Sequence, residues 1–314
     1  MARYVQYGRI GGPEVLEVVE APEPEAGPGE VVVAIRVAGV NPIEWKVRSG
    51  VRPGPPFTGP RRLGADGSGV VTAVGEGVSG WTVGDEVIVS GASGTYGTAA
   101  VVSSDSLDPK PEGLGFEEAA ALGIPVGTAY QAVVSLGVEA GSTFLVHAGA
   151  GAVGQAAIQF ARELGARVVA TASPANHERL RELGAEPVAY GPGLEGRLRA
   201  TAPEGIDRVL DAAGTDEALA ASLALVDDPQ HIGTVVMGAR AAELGIRAWA
   251  GGNPVPLTDE EAALRRGAIA RAARLAADGR FSVEIGPRFA LDDVAEAHRS
   301  SEEGHVRGKI LLVP

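Results

Sequence analysis

Three glycines carry the clearest chemical signal in the chain. Gly149, Gly151 and Gly154 stand in the order G-x-G-x-x-G within His147-Ala-Gly-Ala-Gly-Ala-Val-Gly154. The apolar run 143–146 precedes them and the helix-forming run 155–164 follows. Between a strand and a helix this spacing has a physical use. The first glycine permits a tight turn, the second lets backbone approach a pyrophosphate, and the third lets helix and strand pack closely. The helix N-terminus adds N–H groups without intrahelical acceptors and a partial positive charge. Gly149, Ala150, Gly151, Ala152, Val153 and Gly154 are therefore expected to cradle the phosphates of a dinucleotide. His147, just before them, reads as a hydrogen-bonded core histidine rather than a base.

The residues after the next strand choose the dinucleotide. An NAD site usually carries Asp or Glu about 20 residues beyond the glycines, where it bonds the ribose 2′-hydroxyl. Here the second strand ends in Val168-Val-Ala-Thr-Ala-Ser173, and no carboxylate lies between Arg167 and His177. The positions offer Ser173, Asn176, His177 and Arg179 instead. Hydroxyl, amide and cationic groups suit a 2′-phosphate, which a carboxylate would repel. The expected cofactor is NADP(H) rather than NAD(H).

These residues need a scaffold. From about residue 125, strands alternate with helices: 143–147 then 152–164, 167–170 then 175–183, 187–190, 207–210 then 216–226, 233–237 and 246–249. Such alternation predicts a parallel sheet covered by helices on both faces. Ligands bind at the strand ends of such a sheet. Tyr190 after the third strand, Ala213 and Gly214 after the fourth, Gly238 after the fifth, and Trp249 and Gly251 after the sixth are further cofactor candidates. The first third reads differently. Its β-branched runs 30–38, 69–74 and 85–90 are separated by Gly/Pro turns, which predicts a small barrel-like β domain. A long helix over 259–278 precedes strand character at 288–290 and 308–313, so the tail is expected to rejoin the first domain.

Composition narrows the function classes. The chain has 314 residues, enough for two domains, and its 45% hydrophobic content supports real cores. A net charge of −13 argues against nucleic acid, which calls for a basic face. No run of about 18 or more apolar residues marks a membrane span. The first residues lack the apolar stretch of a signal peptide, so a cytoplasmic location is expected. There are no cysteines, and the five histidines show no metal-binding spacing. That removes thiolate nucleophiles and cysteine-ligated zinc, and no metal is expected.

Taken in order, the motifs resemble the zinc-independent medium-chain dehydrogenase/reductases, in their quinone oxidoreductase-like branch. They run from Gly12-Pro-Glu-Val-Leu16 through Gly39-Val-Asn-Pro-Ile-Glu-Trp-Lys-Val-Arg-Ser-Gly50, Leu63-Gly-Ala-Asp66 and Val83-Gly-Asp-Glu-Val87. Glu118-Ala-Ala-Ala-Leu122, Gly127-Thr-Ala-Tyr-Gln131, Leu210-Asp-Ala-Ala-Gly214 and Gly308-Lys-Ile310 complete the set. The resemblance implies an α/β fold with a GroES-like β-barrel domain formed by both chain ends (1–124 and 281–314). A Rossmann domain over 125–280 lies between them in sequence. Zinc-dependent members of the superfamily place a cysteine near Asn41 and Gly-His-Glu near 64–66. This chain reads Asn41 and Gly64-Ala-Asp66 there.

The resemblance also implies a reaction: hydride transfer from NADPH to a quinone or an α,β-unsaturated carbonyl. It places Asn41 near nicotinamide and substrate, as an amide donor that does not titrate. It puts Thr128 and Tyr130 at the nicotinamide end, Tyr190 beside the adenosine phosphate, and Lys309 toward the cofactor. The proton donor is open. Related quinone reductases carry tyrosine at the position of Lys46, so Lys46, Tyr96 and solvent are the candidates. Arg48, Arg52, Arg61 and Arg62 lie in a Pro/Gly-rich stretch that either shapes a substrate mouth or forms an ordinary loop. Many relatives pair their parallel sheets edge to edge, which implies a homodimer. The rival class is a non-catalytic NADPH-binding structural or redox-sensing protein, favoured by the missing tyrosine after Asn41-Pro42.

Overall fold

Strand Glu30–Gly39 organises the first unit of the computed structural model, which describes residues 1–249, 253–304 and 306–314. It pairs antiparallel with Asp66–Val74, Ala99–Ser103 and Lys309–Val313. With neighbours along both edges, its valines at 31–33 are all buried. The sheet extends through Glu86–Val89 and Leu107–Pro109 on one side and Ile285–Ala290 on the other. A separate three-stranded sheet of Glu17–Ala21, Ala2–Tyr7 and Arg61–Arg62 lies in the same unit. Val33, Ile35, Val71, Val87, Val89 and Leu312 belong to a common apolar core. This unit comprises Met1–Ile124 and Ile269–Pro314, so the tail does return to it.

That return comes at residue 269 rather than 281. The helix Asp259–Ala277 runs through the boundary. Its stop signal, Asp278-Gly279, marks the end of a helix, and nothing in its composition marks the change of unit.

Among the described residues, the second unit, Pro125–Ala268, holds six parallel strands. Their order is Glu186–Ala189, Arg167–Ala172, Thr143–His147, Arg208–Asp211, Ile232–Thr234 and Arg247–Ala248. This is the Rossmann order, with its switch point between the third and fourth of these strands, where strand order reverses. The fifth strand is only three residues long, so Gly238 lies beyond its end and opens a short 3₁₀ turn, Gly238–Arg240. Helix Phe116–Ser135 crosses from one unit into the other and loses helical geometry at Gly123, two residues before Pro125. Among the described residues, no helix is long and apolar enough to cross a membrane.

Candidate functional site

The glycine loop divides its labour differently from the sequence expectation. The left-handed turn falls on Ala148, with φ 58°, one residue before the first glycine. Gly149 is needed for space: a Cβ there would lie 2.8 Å from Ala170 Cβ and 3.3 Å from Leu180. Gly154 is needed for the same reason, because its Cβ would lie 2.3 Å from Ala148 O and 2.7 Å from Gly149 Cα. Gly151 is unlike both. Its nearest neighbour would be Ala148 O at 3.5 Å, an ordinary contact, and it caps helix Ala152–Glu163. The protein thus fills the space around the first and third glycines and leaves the second open, where the helix N–H groups of Ala152 and Val153 begin. Gln155 Nε2 donates to Ala150 O at 2.9 Å and fixes the tip of the loop.

The residues chosen for a 2′-phosphate follow the adjacent strand. Ser173 Oγ accepts from Asn176 Nδ2 at 3.1 Å, and His177 Nε2 lies 3.3 Å from Ala172 O. Arg179 Nε donates to Gln155 Oε1 at 3.1 Å, and Arg179 also pairs with Glu182 at 3.3 Å. Gln155 therefore links Arg179 to Ala150, which brings the cation and the glycine loop together.

Past the fourth strand, Asp211 Oδ1 accepts the N–H groups of Ala213 and Gly214 at 3.0 and 2.8 Å. Its other oxygen accepts from Thr234 Oγ1 at 2.8 Å. Burial raises the Asp211 carboxyl despite these donors. Gly214 takes φ 69°, so the turn after Asp211 favours glycine. Tyr190 follows strand Glu186–Ala189 and is 53% exposed. Thr128 is buried in helix Phe116–Ser135.

Trp249 does not present a face to a ligand. Its Nε1 donates to Glu261 at 2.6 Å, Arg247 lies over its ring at 4.9 Å, and the ring fills the place of a missing Cβ at Gly233. Gly251 lies outside the described residues.

In the β-rich unit a buried polar cluster holds three of the remaining candidates. Lys309 Nζ donates to Asn41 Oδ1 at 2.5 Å and to Asp66 Oδ2 at 3.1 Å. Asn41 Nδ2 donates to Asp66 Oδ2 at 2.8 Å and to Gly39 O at 3.4 Å. Gly39 leaves room for the lysine, since a Cβ would lie 2.6 Å from Lys309 Cε. The broken helix contributes too: Ile124 N–H donates to Asp66 at 2.9 and 3.1 Å. Asn41 is therefore no free donor, and the Lys309 ammonium, expected toward the cofactor, bonds Asp66 and Asn41.

Tyr96 is equally committed. Its hydroxyl donates to Glu44 Oε2 at 2.6 Å, and Glu44 also accepts from Asn41 N and Ala65 N, at 2.5 and 3.1 Å. Burial pushes the Glu44 carboxyl up to about 7. Burial, then the Glu44 charge, holds the Tyr96 hydroxyl well above its usual range. A fully buried, strongly bonded phenol is a poor proton donor to any substrate. Lys46 stands outside this cluster. It is half-buried, with Nζ 5.6 Å from the Trp45 ring, and burial, then Arg52, lowers its pKa.

The arginines of the 45–62 stretch are mostly tied into the fold. Arg48 is buried, donates to Gly11 O at 2.6 Å and His298 Nδ1 at 3.3 Å, and pairs with Glu302. Arg61 stacks on Phe57 at 4.0 Å and Arg62 on Tyr4 at 3.7 Å.

A metal does not fit the Asn41–Asp66 position. The Lys309 ammonium already bonds both side chains, and a divalent cation there would face a like charge. Among the described residues no group of three His, Cys, Asp or Glu is placed to hold one. Glu44, Gln155 and Asp211 escaped sequence reasoning as organising residues. Glu44 and Asp211 sit inside quoted motifs, whereas only the fold pairs Gln155 with Ala150.

Comparison with known proteins adds independent findings. A family model for the alcohol dehydrogenase GroES-like domain matches residues 27–140, and one described as zinc-binding dehydrogenase matches residues 183–312. A quinone oxidoreductase of Pseudomonas aeruginosa is 34% identical over 331 residues, covering 100% of both chains. The structure of the quinone oxidoreductase from Coxiella burnetii is similar at a TM-score of 0.84 and 30% identity, covering 100% of this chain and 99% of that one. An Escherichia coli quinone oxidoreductase complexed with NADPH is similar at a TM-score of 0.84 and 25% identity, covering 100% of both.

Proposed function

Within the quinone oxidoreductase-like medium-chain dehydrogenase/reductases, to which this chain belongs as an NAD(P)-dependent oxidoreductase, we propose a metal-free reaction that moves hydride from NADPH to a quinone or an α,β-unsaturated carbonyl. One observation carries the reading. The open backbone at Gly151 lies in a loop bonded through Gln155 to Arg179, on a stretch with no carboxylate before His177. The similar protein solved with NADPH supports the same cofactor.

Bound NADPH supplies the hydride and its electron pair, which the conjugated acceptor takes up. The chain's own residues do the rest. The N-terminus of helix Ala152–Glu163 binds the pyrophosphate through backbone N–H groups. Ser173, His177 and Arg179 take the 2′-phosphate, with Arg179 already aligned by Gln155. The loop of Ala213 and Gly214, shaped by Asp211, and the exposed Tyr190 border the cofactor. Thr128 lies at the nicotinamide end. Reduction of the acceptor leaves negative charge on its oxygen, and one proton must follow. Lys46 is the side chain we assign as donor, because Tyr96 is sealed by Glu44 whereas Lys46 stands outside that cluster and burial lowers its pKa; solvent is the other source of the proton. Asn41, Tyr96 and Lys309 hold the side chains of Asp66 and Glu44, whose oxygens accept the backbone N–H groups of Ile124, Asn41 and Ala65. A cytoplasmic homodimer, pairing through the sheet edge at Arg247–Ala248, completes the reading.

A second reading, a non-catalytic NADPH-binding protein, is favoured by the sealed Tyr96 hydroxyl. The near-ultraviolet absorbance of NADPH, followed against a panel of quinones, enones and enoyl thioesters, separates the two. Consumption with at least one acceptor supports the enzyme. Binding without consumption across the panel supports the second reading, and light scattering tests the dimer.

A further inference from the structure

His147, Thr171 and Ser222 are buried in the α/β unit, and the proposed reaction uses none of them. Their hydrogens follow by elimination. Ser222 Oγ lies 2.7 Å from Ala218 O, which only accepts, so Ser222 donates its single hydrogen there. It then accepts from His147 Nε2, 3.1 Å away. With the proton on Nε2, His147 Nδ1 is bare and accepts from Thr171 Oγ1 at 3.2 Å. Thr171 Oγ1 in turn accepts the N–H of Ala148 at 3.2 Å. Every member donates in one direction, from Ala148 through Thr171, His147 and Ser222 to Ala218. The opposite tautomer would set a bare Nε2 against an oxygen whose hydrogen is already committed. Burial keeps the ring neutral by pushing its pKa down to about 4.

The chain begins at the strained point of the loop. Ala148 is left-handed, a conformation that side-chain-bearing residues resist, and its carbonyl lies against both Gly151 and Gly154. Thr171 holds the turn twice, since its own carbonyl accepts Gly149 N–H at 2.8 Å. We infer that His147 is a positioning residue for the cofactor, whose fixed Nε2–H tautomer keeps Thr171 oriented to accept from Ala148 and so holds the glycine loop in its phosphate-binding form. The inference rests on the dinucleotide reading above. It also couples the first cofactor loop to helix Asp216–Leu225, which carries Ser222 and directly follows Ala213-Gly214-Thr215.

Thr171→Val tests it, because valine keeps the shape and branching of threonine and removes the hydroxyl. The Kd and KM for NADPH should rise about tenfold, as expected when the part-buried Ala148 N–H loses its acceptor and the buried His147 Nδ1 loses its donor. The kcat at saturating NADPH should change by less than about twofold, and Thr171→Ser should restore most of the affinity. Imidazole ¹⁵N shifts of the cofactor-free protein should report the Nε2–H tautomer for His147. Ser222→Ala, which removes the far acceptor, should mix the tautomers and weaken binding by about threefold. An Nδ1–H or charged ring near neutral pH overturns the inference. So does a Thr171→Val protein that binds NADPH like the wild type, while the dinucleotide reading survives. A wild-type protein that binds neither NADPH nor NADH overturns both.

Discussion

Alanine at Gly151 and at Gly154 should give opposite phenotypes from the same loop. At Gly154 the new methyl meets Ala148 O at 2.3 Å and Gly149 Cα at 2.7 Å, both backbone atoms that no rotamer change can move. Overpacking against rigid neighbours costs about 3 kcal/mol at the upper end of its usual range. Alanine regains about 1 kcal/mol of helix propensity in helix Ala152–Glu163. The net loss is about 2 kcal/mol, or a fall in Tm of about 4–8 °C for a unit of this size. At Gly151 the nearest atom would be 3.5 Å away, so Tm should move by no more than about 2 °C. The methyl instead occupies the approach left for the pyrophosphate, and the Kd for NADPH should rise about 10- to 100-fold. Thermal unfolding by circular dichroism and a titration of NADPH fluorescence measure the two effects. Wild-type affinity in Gly151→Ala would refute the phosphate assignment. Wild-type stability in Gly154→Ala would refute the close packing.

Three further outcomes follow from other parts of the molecule. Ser173→Asp should repel a 2′-phosphate and shift the ratio of kcat/KM for NADPH over NADH downward by about tenfold or more, measured with one acceptor; an unchanged ratio would contradict the cofactor assignment. Glu44 has its carboxyl raised from 4.5 to about 7 in the folded chain, so its contribution to stability is full below about 4.5, falls as pH rises and is lost above 7. That contribution is roughly 3 kcal/mol, and Glu44→Gln should flatten this fall in Tm-against-pH curves, whereas a retained slope would show that another group titrates. Treatment with a strong chelator should leave turnover unchanged, because Lys309 bonds both Asn41 and Asp66; activity lost to the chelator and restored by zinc would contradict this.

Local pattern carried the sheet. The β-branched runs became strands Glu30–Gly39 and Arg167–Ala172, and the glycine spacing marked the strand-to-helix turn at the right place. The pattern did not reveal that Ala148, an ordinary alanine, makes the left-handed turn, because that depends on Thr171 accepting its N–H from the neighbouring strand. It also mistook the working partners of the β-rich unit. Asn41 and Lys309 are 268 residues apart in sequence, and no local signal says that one saturates the other. Tyr96 offered the right functional group, but its hydroxyl is sealed by Glu44, a helix residue that reads locally as an ordinary charged position. Trp249 followed a strand end as topology required, yet Gly233 provides the cleft that its ring fills. Strand ends predict where a ligand binds; they do not predict which side chains the core has already claimed.

The most direct test of hydride transfer follows the label on the cofactor. NADPH deuterated stereospecifically at one or the other face of nicotinamide C4 is oxidised with an acceptor that the panel identifies, and the recovered NADP⁺ is weighed by mass spectrometry. One epimer should yield unlabelled NADP⁺ and the other should retain its deuterium, since a bound nicotinamide presents a single face to the acceptor. Equal loss of label from both epimers, or no oxidation with any acceptor, would contradict hydride transfer from the bound cofactor.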